Sequence, residues 1–258
     1  MVSKMNVLYA ADCRDRLGID ENKLPIDLFK ACEKLDNLTI IKLPFGDNIS
    51  GMCIKEDNNK FYIAINSKQT KGRQNFTLAH ELYHMFYDNN KNSVICTEEL
   101  GNRSITEKNA DEFASFLLVP LRTLLKNWNE CGKKSLLEKI IYMEQTYAVS
   151  HKAMLYFLEN YGLISKEDVE KYENIEIKKE ANKLGYDINL YNITKDYYVS
   201  NRHIQKIEKA YDIGKISNGK KEEMLLNAFR PDIVYGIWGD CFEQCFDADC
   251  STQQKEII

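Results

Sequence analysis

Neither sign of charge predominates in this chain: 35 lysines and arginines stand against 39 aspartates and glutamates, a formal net charge of −4 over 258 residues. That balance gives no global basic field, so non-specific attraction to nucleic acid is not expected, and any such contact would need a local patch. Long apolar runs are missing as well. The opening "MVSKMNVLYAADCRDRLGID" returns to charge before the apolar core of a signal peptide could form, and nothing downstream approaches the roughly 18 apolar residues of a membrane span. A cytoplasmic location is expected. No internal repeat or low-complexity tract is visible either. What is present is an ordinary folded composition, 44% apolar and 29% charged, in a chain long enough for one large core or two modest ones.

Periodicity divides the chain. "LPIDLFKACEKL", Leu24 to Leu35, has apolar residues at helical spacing behind a proline suited to a first turn, and reads as a helix. Three short runs follow, Leu38 to Phe45, Ile49 to Lys55 and Lys60 to Ser67, separated by the turn signals "GDN" and "EDNN"; they predict a small antiparallel sheet. Beyond Ser67 the period is helical, from about Phe76, then Ile105 to Leu118, Leu121 to Trp128, Leu136 to Tyr147 and Lys152 to Tyr161, with later helices near Arg202 to Tyr211 and Lys220 to Phe229. The stretch from Ser165 to about Tyr198 mixes charge with short apolar groups and matches neither period. Strands gathered ahead of a run of helices make the fold class α+β.

Histidine is scarce, with four in the whole chain, yet two of them flank a glutamate in "HELYH". Four positions apart on a helix is one turn, so His80 and His84 share a face and can aim both imidazoles at one ion. Glu81 then stands where the general base of a zinc hydrolase stands, within reach of a water at the metal. The plainer alternative is a pair of histidines on the polar face of an amphipathic helix. A zinc ion that keeps one position open needs a third protein ligand. Neither His151 nor His203 has a supporting pattern, which leaves the carboxylates of "SITEKNADEFASFLLVP", where Glu107 and Asp111 are again four apart. One could bind the metal while the other accepts the free N–H of a ligand histidine. Against this, Ser104 to Glu107 also reads as S-x-x-E, a capping box, and Asp111 as solvated surface.

"FTLAHELYH" is similar to F-T-x-A-H-E-L-x-H, and "EKNADEFASFLLVP" to E-x-x-A-[ND]-x-F-A-x-x-L-L-x-P, the two motifs of the ImmA/IrrE-type metallopeptidases, gluzincin-like zinc proteins often encoded beside helix-turn-helix repressors. Together with the preceding strands the resemblance covers roughly Leu38 to Pro120. It implies a zincin-like core, Zn2+ held by His80, His84 and Glu107, Glu81 as catalytic base, and Asp111 behind the ligands. It further implies an endopeptidase that cleaves a helix-turn-helix repressor and derepresses genes of a mobile element or stress response. A regulatory or toxin-antitoxin interaction module that keeps the zinc fold for binding is the alternative, and the intact Glu81 favours the enzyme. Tyr83 stands where the family commonly has glycine, and Val119 where it has methionine. The strand "KFYIAIN" could offer a cleft edge to an extended peptide, or be a plain structural strand.

Further on, "LLEKIIYMEQTYAVSHKAMLYFLENYGLI" reads as helix, tight turn near Ala148 to Ser150, and helix, similar to a helix-turn-helix-like segment of the same family. Its second helix begins with His151 and Lys152 but is otherwise apolar or acidic, and Phe157 replaces a common arginine, so packing is favoured over direct DNA contact. The expected organisation is a zincin-like domain over 1–130, a helix-turn-helix-like region over 131–166 and a helical region with a tail over 167–258. Of eight cysteines, Cys13, Cys32, Cys53, Cys96 and Cys131 are scattered and expected to be buried and reduced. Cys241, Cys245 and Cys250 crowd the end as incidental thiols, a metal clasp or redox sensor, or a regulator of the zinc site.

Overall fold

The computed structural model describes residues 4–46, 49–56, 58–88, 94–97 and 104–236. It divides between Tyr197 and Tyr198 into two units.

The first unit opens with α1 (Lys4–Leu17), which buries Asn6, Ala10, Cys13 and Leu17. These lie at helical spacing, but two are small and one is polar, so no apolar stripe announces the helix in the sequence. Helix α2 (Leu28–Cys32) is shorter than expected: it starts where the Asp27 carboxylate accepts from the Lys30 N–H, and Pro25 lies outside it. A side chain that satisfies an orphan amide sets the start more firmly than proline's preset φ.

Four strands form the sheet of this unit: β1 (Leu38–Leu43), β2 (Ile49–Lys55), β3 (Phe61–Asn66) and β4 (Val94–Thr97), in the order β4-β2-β3-β1. Strands β2 and β3 form the expected antiparallel hairpin, from Gly51 opposite Ile65 to Lys55 opposite Phe61. The sheet is nevertheless mixed, because β1 runs parallel to β3, from Leu38 opposite Phe61 to Leu43 opposite Asn66. Turn residues show where a strand ends but not which neighbour it pairs with, and here β3 enters between β1 and β2. The same insertion overturns β3 as an edge for incoming peptide: both sides of its backbone are already paired.

Helix α3 (Lys71–Phe86) is capped by the Thr70 hydroxyl, which accepts from the Arg73 N–H, and lies on β2 and β3. Its Leu78, Ala79 and Leu82 are fully buried with Cys53, Ile63 and Ile65 of the sheet. Burying a leucine in this way stabilises by about 2 kcal/mol. Helix α4 (Ile105–Leu118) packs beside α3 and against α1. Asn6 of α1 donates to Asn109 at 3.2 Å and Glu112 at 2.6 Å, and Arg14 to the Phe116 carbonyl at 2.7 Å, fixing α4 along its length.

Helices α5 (Leu121–Glu130), α6 (Leu136–Tyr147) and α7 (His151–Asn160) follow. The α6–α7 turn, with Ala148 left-handed at φ 51°, docks on the first turn of α3. A Cβ on Gly72 would come within 2.7 Å of the Ser150 amide nitrogen, so only glycine permits this approach. Asn75 donates to the Ala148 carbonyl at 2.8 Å, and Phe76 meets Phe157 with ring centroids 6.2 Å apart. The inner face of α7 buries His151, Met154, Leu155, Phe157 and Leu158. Two further helices, α8 (Lys166–Tyr172) and α9 (Ile177–Lys183), and a 3₁₀ turn at Ile188–Tyr191 occupy the stretch that fits neither period. They are short, and the capping box of Ser165 and Asp168 is their clearest local signal.

The second unit contains a two-residue strand, β5 (Tyr198–Val199), then α10 (Asn201–Asp212), α11 (Asn218–Asn227) and α12 (Pro231–Tyr235). Ile204, Ile207, Leu225 and Ala228 are buried, and Lys221 of α11 meets Glu208 of α10 at 2.6 Å. Of the five scattered cysteines, Cys13, Cys32, Cys53 and Cys131 are free and buried as expected; the side chain of Cys96, and Cys241, Cys245 and Cys250, lie outside what the structure describes. Among the described residues no helix is long and apolar enough to cross a membrane.

Candidate metal centre

His80, Glu81 and His84 all fall in the second half of α3, and Glu107 and Asp111 in the first half of α4 beside it. The pairing of these two helices brings the donor groups of three residues together. His80 Nε2 and His84 Nε2 are 3.2 Å apart, Glu107 Oε2 is 3.2 Å from His80 Nε2, and Glu107 Oε1 is 3.3 Å from His84 Nε2. Zinc bound at about 2.0–2.1 Å to each of four tetrahedral ligands has ligand-to-ligand edges of about 3.3 Å. The two Nε2 atoms therefore already stand one tetrahedral edge apart, and Glu107 approaches each of them at that same distance, His80 through one oxygen and His84 through the other.

The far side of each imidazole is also held. His80 Nδ1 meets Asp111 Oδ1 at 2.9 Å, and His84 Nδ1 meets Asp88 Oδ2 at 2.9 Å. With each Nδ1 turned to a carboxylate, both Nε2 atoms face the common point, where a metal would take the place of the proton shared with Glu107; this is how a ligand histidine is oriented. Of the two roles open to the α4 carboxylates, Glu107 thus joins the donor set and Asp111 stands behind His80. Ser104 still caps α4 by accepting from the Glu107 N–H at 3.2 Å, so the serine half of the capping box is real while the Glu107 carboxylate is turned to the histidines.

Asp88 has no counterpart in the sequence reading, although it lies four positions beyond His84, the same step that links His80 to His84. Helix α3 ends at Phe86, and Asp88 is brought back beneath it by its N–H bonding the Tyr83 carbonyl at 3.2 Å and by Lys55 Nζ donating to its carbonyl at 2.6 Å. The signal was present in the spacing, but the bend after the helix hides it. Tyr83 is a packing residue: it is 7% exposed, stands edge-on to the His84 ring at 5.8 Å, and joins Tyr9, Tyr87 and Phe113 in one aromatic cluster. His151 plays no part here; it bonds Glu144 at 2.5 Å and the Tyr172 carbonyl at 2.8 Å.

The electrostatics agree with a cation site. Burial lowers the pKa of the His80 imidazole, but hydrogen bonds to Asp111 and Glu107 and the charge of Glu81 outweigh it and raise it to about 9. Hydrogen bonds from His80 and His84 hold the Glu107 carboxyl well below the usual carboxylate range. The pocket between these side chains stabilises positive charge. Glu81 is fully buried on the sheet side of α3. Its charge adds to burial in pushing the Cys53 thiol up to about 12, which marks its closeness to β2. Asp111 also lines a cleft of about 1340 Å³ that includes Arg73, Phe76, Leu155 and Tyr156.

A mixed sheet under a helix bearing His-Glu-x-x-His, with a carboxylate supplied by the next helix, defines the class of zincin-type metalloproteins. Residues 32–159 match the family model Peptidase_M78, the IrrE N-terminal-like domain, and this stretch of the chain belongs to that family, the ImmA/IrrE zinc-dependent metallopeptidases. No curated protein matches the chain.

Asp88→Ala removes the acceptor behind His84 and leaves the three donors in place. Loss of such an outer partner costs about 10–100-fold in metal affinity. The zinc dissociation constant of this variant, measured by competition with a chromophoric chelator, is expected to rise within that range.

Proposed function

We propose that this chain is a zinc-dependent endopeptidase that cleaves a helix-turn-helix repressor encoded beside its gene, and so derepresses genes of a mobile element or stress response. The observation that carries the peptidase reading is the convergence of His80, His84 and Glu107 with the buried Glu81 one residue along. Support for the repressor comes from the resemblance of both motifs to the ImmA/IrrE proteins.

Zinc, when bound, supplies a Lewis acid that acidifies water and polarises a peptide carbonyl. His80, His84 and Glu107 would hold it, with Asp111 and Asp88 keeping the imidazoles aimed. Glu81 takes a proton from the attacking water and returns it to the leaving nitrogen, general base first and general acid second. The adjoining cleft, with apolar side chains beside Arg73 and Lys152, suits a peptide chain reaching across the centre.

The test is incubation of the zinc-loaded chain with that repressor, beside Glu81→Gln. The glutamine holds the shape and removes the base, so cleavage is expected to fall by about 10²–10⁴-fold with zinc content unchanged. Equal cleavage by both proteins, or by neither under any inducing condition, ends the proteolytic reading.

A further inference from the structure

Glu81 follows His80 on a helix that lies on the sheet, and one position of β2 decides how closely its side chain is seated there. At Gly51 an added Cβ would stand 2.6 Å from Thr77 Cγ2, 2.9 Å from Glu81 Oε1 and 3.1 Å from the Ala64 carbonyl oxygen. Side-chain Cβ atoms essentially never come within 3.0 Å of another heavy atom, so Thr77 and Glu81 leave no room for a methyl group, and the Ala64 carbonyl makes the position tighter still. Thr77 and Glu81 are one turn apart on the same face of α3 and are 3% and 0% exposed.

The three atoms differ in how they can yield. The Ala64 carbonyl belongs to β3, next to Ile65, which is the ladder partner of Gly51, and it is fixed by the sheet. Thr77 is β-branched and has few χ1 choices on a helix. The Glu81 carboxylate is the end of a flexible side chain, and it is the group that would move.

The strand is also irregular at this point. Ile49 lies opposite Thr97 but Gly51 opposite Cys96, a register shift that leaves Ser50 as the extra residue of a bulge. Ser50 and Gly51 are accordingly both buried, which an unbroken alternation would not allow. Bulges of this kind re-aim a strand and gather beside functional sites.

We propose that Gly51 is a positioning residue for the hydrolytic step: its missing side chain is the seat of the Glu81 carboxylate, and the bulge at Ser50 presents that seat to α3. This rests on the reading of Glu81 as the base. Filling the seat displaces the carboxylate while His80, His84 and Glu107, whose donor atoms lie on the α4 side, keep the metal.

The test compares the zinc-loaded full chain with Gly51→Ala, Thr77→Ser, the two combined, and Glu81→Gln. Thr77→Ser removes Cγ2, the closest of the three contacts, so the double variant relieves the helix packing and leaves the encroachment on Glu81 beside the tight but fixed approach to the Ala64 carbonyl. Zinc affinity and melting temperature are read first. Binding of acetohydroxamic acid is read next, since its hydroxyl proton needs an acceptor beside the metal, and then kcat and KM for repressor cleavage.

Misplacement of a reacting group by about 1 Å costs on the order of 100-fold, and a partial shift on the order of tenfold. The double variant is therefore expected to keep the zinc affinity and melting temperature of Thr77→Ser, lose about 10–100-fold in acetohydroxamate affinity and in kcat, and keep KM. Acetohydroxamate binding and kcat equal to those of Thr77→Ser, with Glu81→Gln impaired, would overturn the positioning role and leave the peptidase reading standing. A loss that follows zinc affinity or melting temperature alone would overturn it too, as a packing effect. If Glu81→Gln itself binds acetohydroxamate and cleaves like the unaltered chain, both fall together.

Discussion

Glu107→Ala is expected to bind zinc more than about 100-fold more weakly than the unaltered chain and to lose turnover with the metal. The scale follows from the comparison with outer partners, whose removal already costs up to about 100-fold, whereas Glu107 supplies one of the donor atoms. Its carboxylate spans the two histidines at 3.2 and 3.3 Å. Without it the two imidazoles hold a metal with two protein ligands, short of the three that a catalytic zinc site uses. The helix itself is preserved, because the cap at its start uses the backbone N–H of residue 107 and the Ser104 hydroxyl. Chelator competition separates the outcomes: zinc affinity unchanged in Glu107→Ala would return the glutamate to a role at the helix start.

The second large effect lies away from the metal. Glu144 of α6 is fully buried, accepting from His151 at 2.5 Å and from the Tyr191 hydroxyl at 2.7 Å, and His151 reaches on to the Tyr172 carbonyl. Burial raises the Glu144 pKa above its ordinary value, with His151 and Tyr191 pulling the other way. Burial lowers that of His151, and Glu144 reverses this to a net rise. One polar node thus ties α6, α7, the end of α8 and the 3₁₀ turn. Glu144→Leu leaves the imidazole and the phenol buried without their acceptor, and breaking a buried pair from one side costs about 3–5 kcal/mol. A fall in melting temperature of roughly 10 °C is expected for a chain of this size. Zinc affinity should stay as it was, since no donor or its backing carboxylate is touched. A melting curve matching that of the unaltered chain would show the node to be dispensable.

Much of the centre was legible because its parts are local. His80 and His84, and again Glu107 and Asp111, are one helical turn apart, and a helix turns that spacing into a shared face whatever surrounds it. Asp88 obeys the same step but falls beyond the end of α3, where the backbone bend and Lys55 bring it back, so spacing alone does not reveal it. Gly51 is further removed. Nothing in "ISGMCIK" distinguishes a glycine that weakens a strand from one that makes room for a carboxylate on a helix thirty residues later. The helices of 166–183 are short and mostly surface-facing, and α1 buries a stripe of small and polar groups, so hydrophobic periodicity has little to register in either.

The sequence by itself determined the α+β class, the positions of β2 and β3, the helices with strong apolar stripes, and the residue types that gather at the candidate metal centre. These follow from steric and periodic rules that act within about one turn or one hairpin. Only the tertiary structure decided that β3 lies inside a mixed sheet and offers no free edge, that Glu107 turns its carboxylate to the histidines while Ser104 caps its amide, and that Gly51 lies under Glu81. Each of these depends on which segments distant in the chain come to touch, and packing settles that through shape and the pairing of buried polar groups, neither of which is carried by local spacing.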